Sequence, residues 1–133
     1  MTNINVELKG PKGPQIKESL LPTALPTARG LAVTYGSDAY HCAIAGVAGE
    51  AISGIVEEDA VSLLLPVAVV QHGQTVAQIG AAVTAGQLLA TNATGQLIPA
   101  VSTNTIVARA LESGTNAGDF ICVLVVDGGA VHP

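Results

Sequence analysis

His41 and Cys42 stand side by side, and a thiol next to an imidazole is the pairing that could yield a cysteine nucleophile. The surrounding residues, 39–45, read as a strand, where adjacent side chains point to opposite faces, so His41 cannot take the Cys42 proton there. His72 falls in a Gln71-His72-Gly73 turn signal and His132 in the C-terminal tail. Three histidines without helical or paired spacing do not make a metal set. Glu57, Glu58 and Asp59 could offer oxygens to a cation, but they lack the ligand alternation and glycine of a calcium loop and read as an exposed acidic turn. Asn92-Ala93-Thr94 fits the glycosylation triplet and marks a surface turn. Cys42 and Cys122 are too few for a disulfide framework and read as small buried hydrophobes, with a single bridge between them left open. One enzymatic alternative stands: a small enzyme or ligand-binding β-barrel in which His41, His72 and the acidic turn Glu57-Glu58-Asp59 converge at one rim. No paired catalytic motif supports it, so the expectation is a protein that is not an enzyme and needs no cofactor or metal.

The elements that would position such residues are short. Turn signals recur every eight to twelve residues or so, which points to a mainly β fold, a small antiparallel β-barrel or sandwich. Strands are expected over residues 31–35, 39–45, 51–56, 61–70, 87–90, 96–100, 105–111 and 119–126, with a short strand or a bend over 76–79. The last of the turn signals is Gly114-Thr115-Asn116-Ala117-Gly118. Residues 81–86 could hold one helical turn, and no stretch supports a longer helix. The apolar run 61–70 has ten residues and a proline, whereas a membrane-spanning helix takes about 20, so it reads as a buried strand and no membrane partner is expected. The first ten residues lack the basic start and apolar middle of a secretory signal, which favours folding in a cytosol.

Two parts are expected: an extended N-terminal arm over residues 1–29 and a β-rich domain over 30–133. Pro11, Pro14, Pro22 and Pro26 break helices and remove strand donors, so residues 10–28 read as irregular and outside the core. Ahead of them Ile4, Val6 and Leu8 alternate with Asn3, Asn5, Glu7 and Lys9, the pattern of a strand with one buried face. Ile4, Val6, Leu8, Lys9 and Lys12 are therefore the candidate binding residues, adding a strand to a sheet edge of another polypeptide.

Charge separates the same two parts. Residues 1–30 hold four cations (Lys9, Lys12, Lys17, Arg29) against two acids, for +2. Residues 31–133 hold Arg109 against eight acids, for −7. A body with one arginine cannot neutralise a run of phosphates, which argues against nucleic-acid binding. Only Tyr35, Tyr40 and Phe120 are aromatic, so the core must pack small and branched side chains.

The phrase from Gly80 to Leu89 is similar to the strand-turn-strand wording of biotinyl and lipoyl carriers, but no lysine follows Lys17, which excludes carrier chemistry. A broader likeness covers residues 80–126. Val83 to Leu88 gives a Val-x-x-Gly-x-Leu strand, Asn92 to Gly95 a small-residue turn, and Gln96 to Ala100 a strand ending in Pro-Ala. Ile106 to Glu112 gives a further strand, and Ala117-Gly118-Asp119 leads into a valine-rich one. This order resembles the capsid decoration, or cement, proteins of tailed bacteriophages. Arg109 departs from the pattern, standing where a small residue is usual. The resemblance implies a β-tulip-like fold and a trimer on the outer capsid surface of the virion. It further implies a structural role stabilising contacts between major capsid protein subunits, in a protein made in the host cytoplasm.

Overall fold

The computed structural model describes residues 15–25, 27–36, 38–126 and 132. Within them nine strands form: β1 (Gln15–Pro22), β2 (Ala32–Tyr35), β3 (His41–Ile44), β4 (Gly54–Val56), β5 (Val67–Gln78), β6 (Leu88–Thr91), β7 (Leu97–Pro99), β8 (Ala108–Ala110) and β9 (Phe120–Val125). They make one sheet in the order β1-β3-β2-β4-β5-β9-β8-β6-β7, and β1 also pairs with β5. The mainly β expectation holds. All strand pairs are antiparallel except β1 with β3. No helix occurs among the described residues, so the helical turn allowed at 81–86 does not form; Val83 makes an isolated bridge to Gly114 instead.

The extra β1–β5 pairing closes β1, β3, β2, β4 and β5 into a ring. Pairing and alternation decide which side chains enter it: Leu20, Val33, Cys42, Val56, Val67 and Val69 share one buried cluster. Val70, Ile55 and Ala32 point the other way and join a larger cluster with Ala77, Ile79, Leu89, Leu97, Ala108, Ile121, Val123 and Val125. The strands around that second cluster also curl back, since Ile79, directly after β5, bridges Leu97 of β7. β5 belongs to both halves: residues 67–73 pair with β1, and residues 73–78 pair with β9.

Three expectations are corrected here. Residues 10–28 are not irregular throughout, because Gln15–Pro22 is a strand paired on both sides and Leu20 is 2% exposed. The prolines flank that stretch instead of interrupting it: Pro14 precedes it and Pro22 is its last residue. The Gln71-His72-Gly73 turn signal lies inside β5. There the chain absorbs an irregularity, with Ile16 opposite His72 but Lys17 opposite Val70, and Gly73 takes φ +117. Finally, the apolar run 61–70 enters a strand only at Val67. Residues 61–66 are a turn in which Leu65 N–H donates to Ser62 O (3.4 Å) and Leu64 N–H to Ser62 Oγ (3.1 Å). Ser62 and Pro66 explain the difference: one caps a turn and the other cannot continue a ladder inward.

The β6–β7 hairpin is a structural wedge. Its turn docks on the start of β2, where Ala32 N–H donates to Gly95 O at 2.7 Å. Gly95 has φ +81, and a Cβ there would lie 2.9 Å from Ala32 O and from Ile44 Cγ2. Asn92 shapes the turn by accepting Thr94 N–H, Thr94 O–H and Gln96 N–H on one oxygen, at 2.9 to 3.0 Å.

Candidate functional site

The polar residues singled out from the sequence are dispersed, each held by its own local partners. His41 points out of the ring and its Nδ1 hydrogen-bonds Asp38 Oδ1 at 2.8 Å; Tyr40 N–H donates to the same oxygen at 2.8 Å. Those two bonds, the His41 one first, hold the exposed Asp38 carboxyl below the usual carboxylate range. Cys42 faces inward, fully buried, and burial pushes its thiol above the ordinary range. The alternation argument that separated His41 from Cys42 therefore holds. His72 is exposed on β5, across from Ile16. Backbone groups of His132 pair with Thr103 and Asn104.

The acidic turn is taken up by the fold. Glu57 pairs with Lys17 at 2.8 Å, Glu58 accepts Ala68 N–H at 3.3 Å, and Asp59 accepts Arg29 N–H at 2.7 Å. Among the described residues, no group of three or more His, Cys, Asp or Glu could hold a metal ion. The converging rim required by the enzymatic alternative does not form there. Both cysteines are free, so the bridge left open does not exist. Arg109 projects from the outer face of β8 between buried Ala108 and Ala110.

Two features had no counterpart in the sequence reading. At one end of the ring Gln71 Nε2 donates to the Tyr35 hydroxyl (3.2 Å), which bonds Glu18 Oε1 (2.6 Å). These three inward-facing residues come from β5, β2 and β1 and lay a polar lid over the apolar interior. Beside Gln71 lies a cleft of about 200 Å³ between residues 51–54 and 105–107, with Ser53, Thr105, Ile52 and Val125 in its walls. No titratable side chain lines it, and it is smaller than the roughly 300 Å³ at which small-molecule pockets begin.

The second feature is apolar. Residues 61–66 form a tongue at the opposite end of the ring, with Val61 75% and Leu64 85% exposed and Leu63 and Leu65 about half exposed. The other candidate surface, Ile4, Val6, Leu8, Lys9 and Lys12, lies outside the described residues; β1 begins at Gln15, at the end away from the tongue.

The sequence matches no known protein family and no curated protein. The fold does match a solved structure, the head fiber gp8.5 N base of bacteriophage phi29, with a TM-score of 0.67 at 13% identity. The alignment covers 90% of this chain and 100% of that one. At that identity the likeness is one of fold: this chain folds as that phage head fiber base does.

Proposed function

We propose that this protein is an accessory structural protein of a bacteriophage head, of the cement type. It sits on the outer capsid surface of the virion, stabilises contacts between major capsid protein subunits, and works as a homotrimer. The observation that carries the reading is the fold shared with a phage head fiber base over nearly the whole chain. The decoration-protein order of strands and turns in residues 80–126 supports it from an independent direction. The body suits such work, because its buried side chains fill two apolar cores and its polar groups tie strands together.

The arm supplies the attachment. Ile4, Val6 and Leu8 add a strand to a sheet edge of the major capsid protein or of a neighbouring subunit, with Lys9 and Lys12 at its end. Burying the three apolar side chains contributes about 5–8 kcal/mol, while ordering seven residues costs about 7–14 kcal/mol. Main-chain hydrogen bonds to the partner edge, at about 1 kcal/mol each, close that gap. Ile4 lies 11 residues before the start of β1, so it reaches at most about 40 Å from a fixed point on the ring. Three arms on one trimer raise one another's effective concentration.

The test is occupancy. Purified heads are imaged with the wild-type protein and with a variant lacking residues 2–9. Density for the wild type on the outer surface, with occupancy lost on deletion, is expected. Absence of the wild type from the particles refutes the reading, and unchanged occupancy on deletion refutes the arm's part in it. Sedimentation of the particle-released protein reports the trimer.

A further inference from the structure

We infer that the tongue of residues 61–66 is the part of the body that seats on the capsid, in an apolar socket with a basic rim on the major capsid protein. The inference rests on the head-associated reading and adds the face by which the body docks.

Its first support is concentration of apolar surface. Most strand valines and leucines of the chain are buried in its own two cores, yet Val61, Leu63, Leu64 and Leu65 are exposed together in one turn. The turn is also held in shape. Ser62 accepts two of its N–H groups, Ala60 N–H donates to Thr27 O at 2.9 Å, and Asp59 fixes Arg29 N–H. A turn ordered before binding loses little freedom on docking, which favours a short apolar plug over a mobile one.

Charge selects the occupant. Glu58 and Asp59 adjoin the tongue, are exposed, and have only backbone N–H partners, so neither carboxylate faces a cation among the described residues. Lys17 is engaged with Glu57, and the Arg29 guanidinium lies 5.7 Å from the centre of the Phe120 ring. A second copy would bring the same acidic body, −7 over residues 31–133, against this rim. A partner with lysines or arginines around an apolar hollow is complementary in both respects.

Three variants test the inference on purified heads. Leu64→Asp puts a charge where a buried apolar contact is expected and weakens binding by about ten- to a hundred-fold. Glu58→Gln keeps the acceptor for Ala68 N–H, weakens binding by about two- to five-fold and flattens its salt dependence. Val47→Asp, at an exposed apolar position in another turn, leaves binding unchanged. Since Leu64 is exposed, its variant melts with the wild type, which separates docking from folding. Wild-type binding with L64D equally tight overturns the inference and leaves the head-associated reading standing. L64D that binds heads normally but no longer self-associates also overturns it, by giving the tongue to a second copy. Wild type that fails to bind heads removes the underlying reading, and the inference with it.

Discussion

Replacing Leu20 by alanine asks whether β1 is part of the body or an appendage of it. Leu20 is 2% exposed and shares its cluster with Val33, Cys42, Val56, Val67 and Val69. Three carbons are removed, and at about 0.8 kcal/mol each the transfer loss is roughly 2.4 kcal/mol. A cavity adds to this at about 24 cal/mol per Å³ of space that the surroundings fail to fill. The surroundings are poorly placed to collapse, because the cluster is enclosed by five strands hydrogen-bonded into a ring. The total therefore falls in the middle of the leucine-to-alanine range, about 3–4 kcal/mol. Urea unfolding of L20A should show an unchanged slope and a midpoint lowered by that free energy divided by the slope. Ile16→Ala in the same strand, where the side chain is 60% exposed, should stay within about 0.5 kcal/mol of wild type. L20A indistinguishable from I16A would refute the placement of β1 in the ring.

Other outcomes follow from single contacts. Gly95→Ala and Gly86→Ala both place alanine at positive φ, but only at Gly95 does the new Cβ meet backbone. G86A should cost about 1 kcal/mol and G95A about 1–3 kcal/mol more, and equal melting temperatures would deny the wedge. Asp38 titrates low because its charged form is hydrogen-bonded in the fold, so its contribution is present above the ordinary carboxylate pKa and lost as pH falls through the folded value. Carboxyl NMR should place its midpoint below that of a free aspartate, and Asp38→Asn should flatten the stability curve below about pH 4; a midpoint at or above the free value would contradict the His41 bond. Thiol titration without reductant should find both cysteines reactive in denaturant and Cys42 unreactive in the native protein, whereas no reactive thiols would mean a disulfide.

What was legible in the sequence is what local chemistry decides. β6, β7 and β9 lie within a residue or two of expectation because each is a short, largely apolar run bounded by turn residues such as Asn92, Gly95 and Gly118. Strand alternation placed Cys42 inside and His41 outside. Reading failed where a local signal was overruled at long range. Gly73 looks like a turn, yet it marks the place where β5 passes from β1 to β9, and a glycine suits that change of partners. Four prolines suggested an arm without structure, but seven proline-free residues from Gln15 to Leu21 were enough for a strand once β5 and β3 offered edges. The Glu18–Tyr35–Gln71 lid joins residues 17 and 36 positions apart, and no periodicity announces that a ring will close and bring them together. The tongue was misread because an apolar run carries no mark of whether its neighbours will cover it.

The topology gives the proposed clamp a mechanical logic. The arm enters β1 at Gln15 and the tongue enters β5 at Val67, and these two strands are adjacent and antiparallel, with Gln15 opposite Gly73 and Leu20 opposite Val67. Contacts on the arm and on the tongue therefore pull the pair from opposite ends, about 17 Å apart along the strands. Force in that direction shears the β1–β5 ladder, so its hydrogen bonds resist together; force across it would open them one at a time. β5 then passes the strain to both cores, since Val67 and Val69 sit in one and Val70 and Ala77 in the other. In the proposed arrangement, two capsid contacts made at the ends of one strand pair let a chain of 13.3 kDa resist the separation of the subunits it touches, with no moving part.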